Sequence, residues 1–207
     1  KQIAGVDYDE TSSNVSRLES VRCVLACSAC SKYCLVQVDV DQAYLQASMD
    51  RDVYIEIPEG YNEAMGTDLD PNRDIMRLNK SLPGLKQSGR MWSMEYQATF
   101  RELGLKPCLT DPCVFVDDHT VLTIYVDDML ICSPRRERAD EIINVLQERY
   151  GCKNMGDLQT LLGMRIVVND RGVIIDQPGY IEKVVEKHGT SGSTDTPWPS
   201  DFKRRDE

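Results

Sequence analysis

Val121-Leu-Thr-Ile-Tyr-Val-Asp-Asp-Met-Leu-Ile-Cys132 sets two adjacent carboxylates, Asp127 and Asp128, inside an otherwise apolar run. The flanks are rich in Val, Ile, Leu and Tyr, which predicts two β-strands with the acids at the tip between them. A buried, unpaired carboxylate costs several kcal/mol, and two ionised neighbours also repel. The pair therefore reads either as a surface β-turn, where Asp is common, or as a hard-oxygen site for divalent cations. The run alone leaves both readings open.

Length and composition bound what surrounds it. The chain has 207 residues, 41% apolar and 28% charged, enough for one large domain or two small ones with a substantial core. No apolar run approaches the roughly 18 residues that suggest a membrane span, so no membrane partner is expected. Lys1-Gln2 leads into a polar segment, which reads as no signal peptide; a first residue other than Met suggests a piece of something longer. The net charge of −10 argues against a free-standing nucleic-acid-binding module. Its distribution is uneven: residues 1–76 carry 6 basic and 14 acidic side chains, whereas residues 77–107 carry 6 and 2. Polyanion contact is expected around Arg77, Lys80, Lys86, Arg90, Arg101 and Lys106.

Eight cysteines without a secretory signal point to a reducing compartment and free thiols. Cys23, Cys27, Cys30 and Cys34 fall at i, i+4, i+7 and i+11, which is also the apolar stripe of a helix. One helix does not easily wrap four thiolates around a zinc ion, so they are expected to be small buried hydrophobes.

Element by element, the pattern predicts an irregular Lys1–Ser13 and then a helix capped by Asn14 or Ser16 and running to about Lys32. Strands follow at Leu35–Val40 and Val53–Ile57, with a helical turn over Gln42–Ala47 between them. Residues 61–74 read as a polar loop with Asp68 and Asp70 solvated, and Ile75–Leu78 as a short strand. A helix is expected over Ser88 to about Leu103, closed by Gly104. Then come the hairpin Val114–Val116/Val121–Tyr125, a helix over Glu137–Tyr150, a hairpin of Leu161–Val168 with Val173–Ile175, and a helix near Tyr180–His188. Gly189–Ser200 reads as a linker. The order is α+β with a largely antiparallel sheet.

Asp39 ends the first strand between Val38 and Val40, whereas Asp117-Asp118 precede His119-Thr120 and read as an ordinary exposed turn. If the Asp39 strand pairs beside the Asp127-Asp128 hairpin, three carboxylates converge. Such a set suits two Mg²⁺ ions at about 3.5–4 Å, the clamp for in-line phosphoryl displacement. The alternative is three unrelated acids.

Val38-Asp39-Val40-Asp41-Gln42-Ala43-Tyr44-Leu45 followed by Tyr125-Val126-Asp127-Asp128 resembles motifs A and C of reverse transcriptases. Gly5–Thr11, Val53–Tyr61, Ser81–Trp92, Asp111–Phe115 and Leu161–Met164 stand in the order of a copia-like (pseudovirus-type) LTR-retrotransposon polymerase. The resemblance covers nearly the whole chain. It implies a right-hand polymerase: 1–34 partial fingers, 35–47 palm, 48–88 fingers, 89–168 palm, and 169–207 a hairpin with the start of a thumb or connection and a linker. Asp39, Asp127 and Asp128 would be catalytic, and with the Val40 carbonyl they would hold two Mg²⁺ ions, or Mn²⁺. Gln42, Ala43, Tyr44 (as a steric gate), Gly84, Lys86 and Gln87 would bind the nucleotide. Leu162, Gly163 and Met164 would form a primer grip.

The implied partners are template–primer (RNA/DNA or DNA/DNA), deoxynucleoside triphosphates, and RNase H and integrase parts of a polyprotein. The implied location is cytoplasmic, in a virus-like particle. Several positions depart from the family. Glu10-Thr-Ser-Ser-Asn-Val15 replaces Glu-Thr-Phe-Ala-Pro-Val, Asp41 stands where Lys is common, and Pro83 where Tyr is. The basic fingers segment is expected before Lys1, and the thumb is expected to be cut near Glu207. The competing reading is an inactive or repurposed fragment that binds nucleic acid or protein.

Overall fold

The computed structural model describes residues 2–189; the expected linker over Gly189–Ser200 falls almost wholly outside them. The elements in chain order are α1 (Leu18–Cys30), β1 (Cys34–Asp39), α2 (Ala43–Gln46), β2 (Tyr54–Glu56), α3 (Tyr61–Met65) and β3 (Ile75–Arg77). They continue with α4 (Ser88–Glu102), β4 (Lys106–Pro107), β5 (Val114–Val116), β6 (Val121–Tyr125) and β7 (Asp128–Ser133). The last are α5 (Arg136–Tyr150), β8 (Lys153–Asp157), β9 (Thr160–Leu161), β10 (Met164–Asn169), β11 (Gly172–Asp176) and α6 (Pro178–His188).

Six strands form one sheet in the order β4-β5-β6-β7-β1-β8, every pair antiparallel. The period of two along β1 and β7 splits their side chains between two cores. Val36, Val38, Met129 and Ile131 face α4 and α5, meeting Trp92, Phe100, Ile142 and Leu146. Phe100 and Phe115 stack edge to face there, centroids 4.8 Å apart. Leu35, Leu130 and Cys132 face the other way, onto Val21 and Leu25 of α1 and onto Leu161, Met164 and Ile166 of the small sheet β11-β10-β9. The result is mixed helix and antiparallel sheet, as the element order predicts.

The cysteine stripe is a correction. Cys23, Cys27 and Cys30 are exposed and Cys34 is only half-buried, because α1 buries Val21, Leu25 and Ser28, a stripe offset from the thiols. Larger apolar side chains win the contact with β7, since each removes more surface from water. Four elements are absent from the sequence pattern. Helix α3 lies in the expected loop, β9 is split from the expected Leu161–Val168 strand by the Leu162-Gly163 turn, and β4 and β8 are edge strands of mostly exposed residues.

The irregular N-terminal segment is nonetheless held in place. The Gln87 side chain donates to the Asp7 carbonyl (2.8 Å) and accepts from Gln2 (2.9 Å). Arg90 pairs with Glu10 at 2.9 Å, and Arg51 bonds the Val6 carbonyl and Asp9. Asp111, 3% exposed, accepts from the backbone N–H of Arg17 (3.0 Å) and of Cys113 (3.0 Å).

Candidate active site

β1 and β7 pair over their full lengths, and the last rung sets Asp39 directly opposite Asp128. Opposed residues of an antiparallel pair share a face, so the two carboxylates project from the same side as Gln37. The Gln37 amide donates to Asp128 Oδ1 at 3.1 Å. Burial, and then the neighbouring charges of Asp127 and Asp39, push the Asp128 carboxyl up, while the Gln37 bond works against them.

Asp127 sits in the turn itself. Tyr125 pairs with Asp128, which leaves Val126-Asp127 as a two-residue loop. Val126, the first loop residue, has φ +61°. Gly is the usual residue there; a β-branched side chain in the left-handed region costs about 1–3 kcal/mol. Two bonds from outside the loop hold the turn. The Trp92 indole N–H donates to the Val126 carbonyl (2.6 Å), and the Val40 N–H donates to the Asp127 carbonyl (3.0 Å).

The three acids expected to converge, Asp39, Asp127 and Asp128, are thus brought to one end of the central sheet. Asp117 is not among them. It caps its own turn by accepting from the N–H groups of His119 (2.9 Å) and Thr120 (2.6 Å), and it pairs with Arg138 at 3.1 Å. The extra charge at Asp41 is matched by Lys153, whose Nζ lies 2.7 Å from Asp41 Oδ1 on a strand that pairs with β1. Among the described residues, no three His, Cys, Asp or Glu side chains already stand around one point as a metal cage. What the rung and the turn do place at this end are carboxylate oxygens, the donor type that hard cations take.

The other expected residues lie in three further segments. Gln42, φ +53°, opens α2; Ala43 is buried; Tyr44 is half-buried against the α4 core. Gly84 (φ +96°) and Lys86 are exposed in the turn before α4. Gln87 is fully buried, and its amide ties down the N-terminal segment instead of facing solvent. Leu162 and Gly163, φ +51° and +75°, make the β9–β10 turn, and Met164 is buried in the core on the Asp39 face. Sequence reading missed Gln37, Trp92 and Lys153. Only Gln37 carried a signal, a polar side chain two residues before Asp39 and so on its strand face.

The sequence profile of the reverse transcriptase family (RNA-dependent DNA polymerase) matches residues 1–200. The chain belongs to that family. This reverse transcriptase chain is 32% identical over 194 residues to the retrovirus-related Pol polyprotein from transposon TNT 1-94 of Nicotiana tabacum, covering 90% of the chain and 14% of that protein. It is 31% identical over 130 residues to the truncated transposon Ty1-A Gag-Pol polyprotein of Saccharomyces cerevisiae, covering 61% and 10%. The reverse transcriptase chain therefore spans a small part of these relatives, in keeping with the copia-like, transposon-type resemblance in its motifs. A solved telomerase from Candida albicans, in complex with a fragment of telomeric RNA, aligns over 82% of the chain and 36% of its own, at 12% identity and a TM-score of 0.43. Among the described residues, no helix is long and apolar enough to cross a membrane.

Proposed function

We propose that this chain is the fingers–palm core of an RNA-directed DNA polymerase, which adds deoxynucleotides to a primer 3′-OH on an RNA or DNA template. The reading rests above all on the Asp39–Asp128 rung, with Asp127 one residue beyond it in the turn. The six-stranded sheet with α4 and α5 would be the palm, residues 48–88 fingers, and the part after residue 168 the start of the thumb or connection. Asp39, Asp127 and Asp128, with the Val40 carbonyl, would hold two Mg²⁺ or Mn²⁺ ions. Bound there, the ions would supply charge stabilisation for phosphoryl transfer and lower the pKa of the attacking hydroxyl.

The chain's own groups do the rest. Backbone N–H groups at Gln42 and Ala43 face the triphosphate, and the Tyr44 ring, backed by α4, leaves no space for a ribose 2′-OH. Gly84 and Lys86 lie along the nucleotide and template, with Gln87 supporting them from behind. The β9–β10 turn, Leu162-Gly163-Met164, holds the primer end on the same face as Asp39. The RNase H and integrase parts of a Pol polyprotein are its expected companions, in a cytoplasmic virus-like particle.

Primer extension on a homopolymer template tests this. The chain extends with Mg²⁺, and Asp127→Asn and Asp39→Asn lose extension by orders of magnitude while still melting cooperatively. Extension that survives Asp127→Asn removes that residue from the site.

A further inference from the structure

The turn that carries Asp127 adopts a conformation its own sequence disfavours. Val126 occupies the left-handed region with a β-branched side chain, so contacts from elsewhere must select this state over a relaxed one. The Val126 carbonyl belongs to the peptide plane that enters Asp127, and it accepts the Trp92 indole N–H at 2.6 Å. The Asp127 carbonyl belongs to the plane that leaves it, and it accepts the Val40 N–H at 3.0 Å. Both peptide planes flanking the Asp127 Cα are thereby anchored, one by α4 and one by the end of β1.

Trp92 is built to act as a fixed donor. It is 2% exposed and lies edge-on to Tyr96 (centroids 5.5 Å apart) and to Tyr150 (5.1 Å). The indole offers a single N–H and no acceptor, so this bond has one direction only.

We propose that Trp92 is a positioning residue for the carboxylate site. Its indole N–H holds the Val126–Asp127 peptide in the left-handed turn and so keeps Asp127 at the end of the ladder beside Asp39 and Asp128. The link to ion binding rests on the proposed reading of Asp39 and Asp127 as metal ligands; the link to turn geometry does not. Helix α4 thus sets the place of Asp127 as well as the core.

The test uses the 207-residue chain as wild type, W92F, V126G and W92F/V126G. Phe keeps the aromatic packing and deletes the N–H; Gly takes the left-handed conformation without strain. Amide hydrogen exchange at Val40, in metal-free protein, reads closure of the turn. The Leu158 N–H, bonded to the Leu35 carbonyl at 2.9 Å on the far side of β1, reads general loosening. Mn²⁺ affinity, followed by electron paramagnetic resonance with Asp39→Asn as reference, reads the site.

W92F is expected to speed Val40 exchange and weaken Mn²⁺ binding by about tenfold each, the scale of one hydrogen bond, with Leu158 unchanged. In the V126G background both effects shrink to about threefold or less, because the strain that the bond opposes is gone. Unchanged Val40 exchange in W92F overturns the inference, as do equal losses in both backgrounds or parallel acceleration at Leu158. Mn²⁺ binding that is indifferent to Asp39→Asn removes the ligand reading and the link to ion binding with it; Val40 exchange still decides whether Trp92 holds the turn.

Discussion

Asp39 and Asp128 stand directly opposite each other on β1 and β7, two acids on the last rung of a mostly apolar ladder. In a sheet pair, like charges set face to face are destabilising. Among the described residues, the side-chain donor to this rung is the neutral Gln37 amide, at 3.1 Å from Asp128 Oδ1.

Gln37→Leu therefore removes the bond while leaving Asp128 half-buried beside two other acids. It is expected to cost about 1–2 kcal/mol in chemical denaturation. Millimolar Mg²⁺ should recover more stability in the variant than in wild type, because ion binding to the folded state then relieves a larger repulsion. Equal Mg²⁺ effects on both proteins would count against the rung as a cation site.

Lys153 pairs with Asp41 at 2.7 Å and is the cation opposite Asp39 on the other side of β1. Both side chains are well exposed, so the pair adds little to stability. Lys153 nonetheless stands directly opposite Asp39, so each charge of the pair bears on that end of the sheet. Lys153→Ala is expected to tighten Mn²⁺ binding at low ionic strength and Asp41→Asn to weaken it, with both effects fading as salt is raised. A titration at two salt concentrations checks both signs.

Acid should weaken the fold through Asp111 and Asp117. Burial works to raise both carboxyls. The Ser20 hydroxyl and the Arg17 and Cys113 N–H groups outweigh it at Asp111, as do the His119 and Thr120 N–H groups and Arg138 at Asp117. Each ends below the ordinary value of 3.8. A carboxyl depressed in the folded state contributes stability that is present above its unfolded pKa and is lost as pH falls through the folded one. Melting temperatures should hold down to about pH 5 and then fall. Asp111→Asn/Asp117→Asn should start lower and decline less across the acid range.

Gly163 takes φ +75° in the β9–β10 turn, and a Cβ placed there meets nothing within 4 Å. Gly163→Ala should cost about 1–2 kcal/mol from backbone strain alone. A denaturation curve with an unchanged slope checks that the fold is retained. Leu162→Ala at the neighbouring position removes packing against the α1 core instead.

Most of the architecture could be read along the chain. The apolar runs of β1, β6 and β7, the helical spacing of α4 and α5 and the turn residues at Gly104 and Asn169–Gly172 place those elements, because local composition, periodicity and turn chemistry decide them. The acids Asp39, Asp127 and Asp128 were likewise visible as charges in apolar surroundings, and the ordered motif blocks determined the family. What periodicity cannot carry is choice among partners distant in sequence. The cysteines of α1 had the spacing of a buried stripe, yet Val21 and Leu25 took the contact. β8 has no apolar pattern and forms because the free edge of β1 offers its hydrogen bonds. Trp92 read as one more core residue of a helix, and only the packing of α4 under the β6–β7 turn brings its N–H to the Val126 carbonyl. Which groups carry charge into apolar surroundings is written along the chain; where they stand follows from folding, because strained turns and hydrogen bonds between distant segments depend on neighbours that no local window contains.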